Sequence, residues 1–171
     1  MKSWKKNIPS KWTGKKKKAG VAILIADKID FITKAIKRGT EDRHFIILKG
    51  RLHQENINIV NIYAPNIGAP KYIRKILGDF KKDIDSNTLI LGDFNTPLSK
   101  MDRSSKQNIN KDIVALNNAL NQMDLTDTYR TFHDKEAKYT FFSNAHGTFS
   151  KIDHIIGHKT SLNKFKKSEI I

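Results

Sequence analysis

The residues Gly92-Asp93-Phe94-Asn95 follow directly on the apolar run Thr88-Leu89-Ile90-Leu91. Residues two apart on a strand point the same way, so Asp93 and Asn95 share a face while Phe94 turns into the core. A carboxylate beside a carboxamide suits a hydrated metal, a nucleophilic water or a phosphate oxygen. Gly92 lets the backbone come close to whatever sits there. The same four residues also read as a Gly-Asp turn closed by an Asx bond to its own backbone. Two further segments have the same character. The alternating run Ile57 to Ile62 ends in Tyr63-Ala64-Pro65-Asn66, and Ser150-Lys151-Ile152-Asp153-His154-Ile155-Ile156 carries an acid in an apolar setting. His154 points away from Asp153, because adjacent strand residues face opposite ways, and reads as a packed or hydrogen-bonded histidine. The other histidines have no metal-ligand spacing, so no metal ligand is assigned among them.

These residues need strands to hold them. Val21 to Ala26, Phe31 to Ile36, Phe45 to Lys49 and Ile57 to Tyr63 read as strands, and the short links between them favour an antiparallel meander. Thr88 to Asp93 is a buried strand. A first helix opens near Pro70 with Ile73, Ile76, Leu77, Phe80 and Ile84 on one face and Lys71, Arg74, Lys75, Lys81 and Lys82 on the other. Pro97 to Gln107 is a polar loop, and a second helix follows with Asn110 as its cap and Ile113, Leu116, Leu120 and Met123 at helical spacing. Leu125 to His133 reads as irregular. Tyr139 to Ser143 and Thr148 to Ile156 form a hairpin around Asn144-Ala145-His146-Gly147. Strands with interposed helices make an α/β sandwich.

Composition bounds the function. The 171 residues carry 32 Lys and Arg against 17 Asp and Glu, a formal charge of +15, and the pI is about 9.9. Such a balance asks for a polyanionic partner, nucleic acid first, with a membrane surface second and no basic amphipathic helix to support it. The Lys15–Lys18 run by itself reads as a solvated stretch. There is no cysteine, which excludes disulfides and thiolate metal sites. No apolar run approaches the ~20 residues of a membrane span, and the polar start is not a secretory signal, so a soluble protein of nucleus or cytoplasm is expected.

Tyr63, Asp93 with Asn95, and Asp153, in that order at three strand ends, resemble the endonuclease/exonuclease/phosphatase family of DNase I-like fold. The resemblance is closer still to the endonuclease domain of LINE-type (long interspersed element) retrotransposons. The likeness runs through Lys17-Lys18-Ala19-Gly20-Val21-Ala22-Ile23-Leu24, Asn61 to Pro70, Leu91 to Ser99 and Tyr139 to Ile156. It implies a four-layer α/β sandwich, two mixed or antiparallel sheets flanked by helices, here incomplete, with residues 1–171 as a single partial domain. The family's opening Asn and metal-binding Glu, and its closing Ser-Asp-His, have no counterpart here; Ser168-Glu169-Ile170-Ile171 stops short of the last. The resemblance therefore implies an internal piece of such an enzyme, marginally folded by itself, whose intact parent would also carry a reverse transcriptase domain.

By the same resemblance, Asp93 would orient or deprotonate the attacking water or assist the leaving group. Asn95 would bind that water or a phosphate oxygen, and Tyr63 would donate its phenol to the scissile phosphate. Asp153 would hold a catalytic His in one tautomer, a partner these residues lack. Mg²⁺ (or Mn²⁺) is the cofactor implied. The late hairpin would enter the minor groove of A/T-rich DNA through Thr140, Ser143, Asn144, His146, Thr148 and Ser150, with Arg103 near the DNA backbone. Three functions follow as expectations. The first is a Mg²⁺-dependent DNA endonuclease, a fragment with impaired or no activity. The second is a basic DNA-binding remnant without catalysis, and the third is a phosphodiesterase or phosphatase of the same fold.

Overall fold

The computed structural model describes residues 4–9, 20–39, 44–105 and 108–170, and for 4–9 the backbone path only. The Lys15–Lys18 run, the Lys17-Lys18-Ala19 start of the family-like segment and Gln107 lie outside these residues. Among the described residues there are ten strands: β1 Trp4–Pro9, β2 Ala22–Ala26, β3 Phe31–Arg38, β4 Phe45–Leu52, β5 Glu55–Tyr63, β6 Thr88–Asp93, β7 Leu125–Asp127, β8 Phe141–Ser143, β9 Thr148–Ser150 and β10 Asp153–His158. The helices are α1 Ala69–Asp79, α2 Lys111–Gln122 and the short α3 Thr128–Phe132.

Six strands form one mixed sheet in the order β3-β4-β5-β6-β10-β7. The meander holds for β3, β4 and β5, whereas β2 leaves it to pair antiparallel with β1, a strand the Lys-rich opening did not reveal. β5 and β6 run parallel, joined by the α1 crossover, and β10 is antiparallel to both of its neighbours, β6 and β7.

Register separates the sheet's two faces. Phe45, Ile47, Val60, Ile62, Ile90 and Ile156 point to one side and are covered by Ile73, Ile76 and Leu77 of α1 and Leu116 and Leu120 of α2. Each such side chain contributes about 2 kcal/mol on leaving water. Ile46 and Leu48 point to the other side and are covered by Val21, just before β2, and Ile23 within it. A helix layer, the large sheet and a smaller sheet thus stack as an α/β sandwich. Pro70 stands in the first turn of α1 and Asn110 caps α2, its Oδ1 accepting the Ile113 N–H at 3.0 Å. Among the described residues no helix is long and apolar enough to cross a membrane.

Three expectations need correction. Leu125 to His133 is not irregular: it holds β7 and α3, where the Asp127 carboxylate accepts the Tyr129 N–H at 2.9 Å and starts the helix. The expected strand Thr148 to Ile156 breaks at Lys151-Ile152, so β9 closes the hairpin with β8 while β10 enters the large sheet. The polar loop also contains a 3₁₀ turn, Lys100–Asp102.

Candidate active site

Three adjacent strands, β5, β6 and β10, carry the acids and the tyrosine to one end of the sheet. Tyr63 is in register with Asp93, and Asp93 with Asp153. Cross-strand partners share a face, so the three side chains form a row on the side away from α1 and α2. Asp93 and Tyr63 are half-buried and Asp153 is exposed. A cleft of about 460 Å³ opens beside the row, between Leu91, Thr140, Asp153, Ile155 and Glu169.

Asn95 reaches this end by another route than strand alternation. The strand stops at Asp93, and Asn95 is left-handed, with φ 47°. Its backbone N–H donates to Asp93 Oδ1 at 2.9 Å, the Asx bond of the turn reading, while its side-chain amide donates to the Ala64 carbonyl at 2.7 Å. The turn therefore presents the carboxylate and ties the ends of β5 and β6 together. Further ties come from Ala64 N–H to the Asp93 carbonyl and Phe94 N–H to the Ile152 carbonyl, both at 2.8 Å. Phe94 is fully buried, as alternation requires. Gly92, however, makes room for its own sheet rather than for a ligand. At φ 132°, a Cβ there would lie 2.0 Å from the Ile62 carbonyl oxygen and 2.7 Å from Asn61 Oδ1.

Burial lifts the Asp93 carboxyl above the ordinary aspartate range, and the charge of Asp153 adds to the lift; the Asn95 N–H and His154 pull the other way. A half-buried carboxylate that holds its proton more tightly is suited to taking one from water.

On the covered face lies a cluster the sequence did not announce. Asp127 Oδ2 receives the Lys151 ammonium at 2.5 Å and stands 2.7 Å from His154 Nδ1. The side chains of Lys151, His154 and Asp127 are 2%, 0% and 7% exposed. Burial opposes ionisation of Asp127, yet the hydrogen bonds and charges of His154 and Lys151 bring it down to about 2. His154 Nε2 faces the Thr96 carbonyl at 3.0 Å; a carbonyl only accepts, so Nε2 carries a proton. The cluster pins the start of β10 against the residue after Asn95. A second buried pair, Arg130 to Asp102 Oδ1 at 2.6 Å, holds the loop beyond, where Asp102 Oδ2 accepts the Leu98 and Ser99 N–H groups. Lys151 and Asp127 lie 24 residues apart, so no local pattern could have shown their pairing. A lysine and a histidine flanking Asp153 in an apolar strand were the only available signal.

The hairpin expected to meet DNA stands beside the row. Thr140 Oγ1 accepts the Ile152 N–H at 3.1 Å and the Asp153 N–H at 3.3 Å, tying the hairpin's base to the acid strand. Arg103 bridges to Ser150, and the Ser104 N–H donates to the Phe149 carbonyl at 3.0 Å. Ser143, Thr148 and Ser150 lie on one hairpin face by alternation, and Asn144 and His146 stand exposed in the turn.

A family model described as Endonuclease/Exonuclease/phosphatase family matches residues 3–169. Among solved structures, an AP endonuclease from Archaeoglobus fulgidus superposes with TM-score 0.60 at 18% identity, over 83% of this chain and 64% of that one. The endonuclease domain of TRAS1, a telomere-specific non-LTR retrotransposon, gives 0.61 at 14% identity, over 83% and 62%. TDP2 of D. rerio, complexed with single strand DNA product, gives 0.55 at 12% identity, over 81% and 58%. At such identities the likeness is one of fold, and the chain spans less than two thirds of the length of each of these structures.

Proposed function

Because the chain belongs to the endonuclease/exonuclease/phosphatase family, we propose that it is a DNA endonuclease unit of the LINE retrotransposon kind, hydrolysing phosphodiester bonds at the Tyr63–Asp93–Asp153 row. The observation that carries the reading is the register: three chemically apt side chains at adjacent strand ends on one open face. In this reading Asp93 orients and deprotonates the attacking water. Asn95, with one amide hydrogen committed to Ala64, offers its remaining hydrogen to that water or to a phosphate oxygen, while its carbonyl oxygen can accept only from the water. The Tyr63 phenol donates to the scissile phosphate.

Among the described residues no group of three His, Asp or Glu side chains is placed to hold a metal ion. Asp93 and Asp153 still meet the smaller demand of Mg²⁺ or Mn²⁺, which keeps several waters and takes one or two carboxylates plus substrate phosphate. Such an ion, when bound, would neutralise charge on the phosphate.

DNA is the proposed partner, with charge of +15 to draw it in. Ser143, Asn144, His146, Thr148 and Ser150 would read the minor groove of A/T-rich sequence. Thr140 would contribute its hydroxyl hydrogen, and Arg103 a phosphate contact.

The test is nicking of supercoiled plasmid with Mg²⁺, run beside EDTA and Asp93→Ala. Open circles that need the metal and vanish in Asp93→Ala support the reading; nicking that persists in Asp93→Ala overturns it. The net charge favours a second reading, binding without catalysis. It expects no nicking from the unaltered chain and a gel shift that fades with salt.

A further inference from the structure

Strand alternation gives the β8–β9 hairpin a second face, opposite the one that carries Phe141, Ser143, Thr148 and Ser150. Phe142 and Phe149 are directly opposed partners whose rings lie 4.6 Å apart, and Tyr139 stacks on Phe149 at 5.9 Å with the planes 26° apart. The three rings form a short ladder that belongs to neither hydrophobic cluster of the fold. Phe142 and Phe149 are 44% and 47% exposed. Contact between neighbouring rings accounts for part of their surface only. The remainder is flat, apolar π-surface facing solvent beside an acid row.

The charge of the chain decides what covers it. With a net +15, the ligands concentrated at its surface are polyanions, and the polyanion that carries flat stacking groups is a nucleic acid strand. The ladder is also in the right place. Through Thr140 its base is bonded to the Ile152 and Asp153 N–H groups. Through Ser104 and Arg103 it is bonded to the loop that follows Asn95. A base seated on the ladder therefore belongs to the strand whose phosphate lies at the acids. A fully paired duplex cannot offer a base face to a ring; an unpaired or unstacked position can.

We propose that Tyr139, Phe149 and Phe142 form a stacking platform for unpaired nucleobases, so that the chain selects DNA with unpaired bases beside the bond at the acid row. The proposal rests on the nucleic-acid reading above and narrows its substrate class. Within it, the face that carries Ser143, Thr148 and Ser150 touches the groove while the opposite face takes the displaced base.

Fluorescence anisotropy of the full chain tests this with three labelled DNAs of one sequence: a paired duplex, the duplex with a run of unpaired thymines, and the single strand. The unaltered chain binds the two DNAs with unpaired bases on the order of tenfold tighter than the paired duplex. Phe149→Ala and Phe149→Leu erase that preference and leave paired-duplex affinity within about twofold, since phosphate contacts are untouched. Phe149→Trp keeps the preference, because it keeps a ring. Phe142→Ala supplies an independent variant should Phe149→Ala unfold, which a thermal melt reports. A preference absent from the unaltered chain, or retained by Phe149→Leu, overturns the proposal. So does a dimer in light scattering that Phe149→Ala dissolves, which would give the ladder to a second copy of the chain. Metal-dependent nicking that survives loss of the preference leaves the endonuclease reading intact, whereas failure to bind any of the three DNAs overturns both.

Discussion

Replacing Asp127 by Asn tests whether the acid row stands on the ionic cluster beneath it. The change keeps the shape of the side chain and removes its charge. Asp127 Oδ2 faces both Lys151 Nζ and His154 Nδ1, and Oδ1 accepts the Tyr129 N–H. An amide has one oxygen for these duties, and its NH₂ group repels either the ammonium or the helix-starting N–H. Losing the helix cap costs about 1 kcal/mol. Stranding a buried ammonium costs about 3–5 kcal/mol, so the second term decides the outcome. For a domain of this size the melting temperature then falls by roughly 6–20 °C, at about 2–4 °C per kcal/mol. Adding Lys151→Met returns most of the loss, since a buried ion pair replaced by apolar atoms is close to neutral. Asp127 is held at about 2 against an ordinary 3.8. A depressed carboxyl contributes stability above its unfolded value, here about 2 kcal/mol, which disappears as pH falls from about 4 to about 2. Asp127→Asn removes that acid limb. Thermal unfolding followed by circular dichroism across pH measures all of this. A drop below about 1 kcal/mol at neutral pH, or a double variant as unstable as the sum of the singles, would show that the row does not stand on this cluster.

Other outcomes follow from the site's geometry. Gly92→Ala places a methyl 2.0 Å from a backbone oxygen at a φ of 132°, and urea unfolding should show a loss of more than about 2 kcal/mol; a loss under half of that contradicts the packing. The Asp93 carboxyl is raised, so its stabilising form is the protonated one, fully present below the unfolded value and lost as pH rises through the folded value. Asp93→Asn should therefore be more stable than the unaltered chain at neutral pH while failing to nick. Asp153→Asn removes the neighbouring charge and should move the acid limb of any nicking profile to lower pH; movement upward would show that Asp153 does not act on Asp93 as described.

Much of this arrangement could be read from the residues, and the misses share a cause. Thr88 to Asp93, the α1 stripe and the Asn110 cap are local signals, and local signals survive into the fold. The turn reading of Gly92-Asp93-Phe94-Asn95 holds in the Asx bond from the Asn95 N–H to Asp93 Oδ1, whereas the shared strand face of Asp93 and Asn95 does not, because the strand ends at Asp93 and Asn95 is left-handed. The role given to Gly92 was wrong, since the close approach is to β5, which arrives from another part of the chain. β7 and α3 escaped notice because they are short and held from outside, by Lys151, by His154 and by the Thr128 hydroxyl on the Ile155 carbonyl. The break at Lys151-Ile152 was hidden for the same reason. No turn residue marks it, and the bonds from the Lys151 N–H to the Asp102 carbonyl and from the Ile152 N–H to Thr140 Oγ1 hold the backbone where it passes from one sheet to the other.

The adjacency of Asp153 and His154 gives the site its mechanical logic. Successive strand residues face opposite ways, so one step along β10 separates an exposed side chain from one locked among Asp127, Lys151 and Thr96. The locked side fixes the register, and a slip by one residue would exchange the two roles. Register in turn fixes distance. Neighbouring strands stand about 4.8 Å apart, so Tyr63 and Asp153, two strands apart across Asp93, are separated by roughly 10 Å at the backbone. On the proposed function, a phosphate and its attacking water would sit in that span over the middle residue, with a donor on one flank and a carboxylate on the other. Any substitution that shifts β10 against β6 must therefore disturb Asp153 and Asp93 together. Loss of nicking in cluster variants that remain folded should accordingly appear in turnover rather than in DNA affinity.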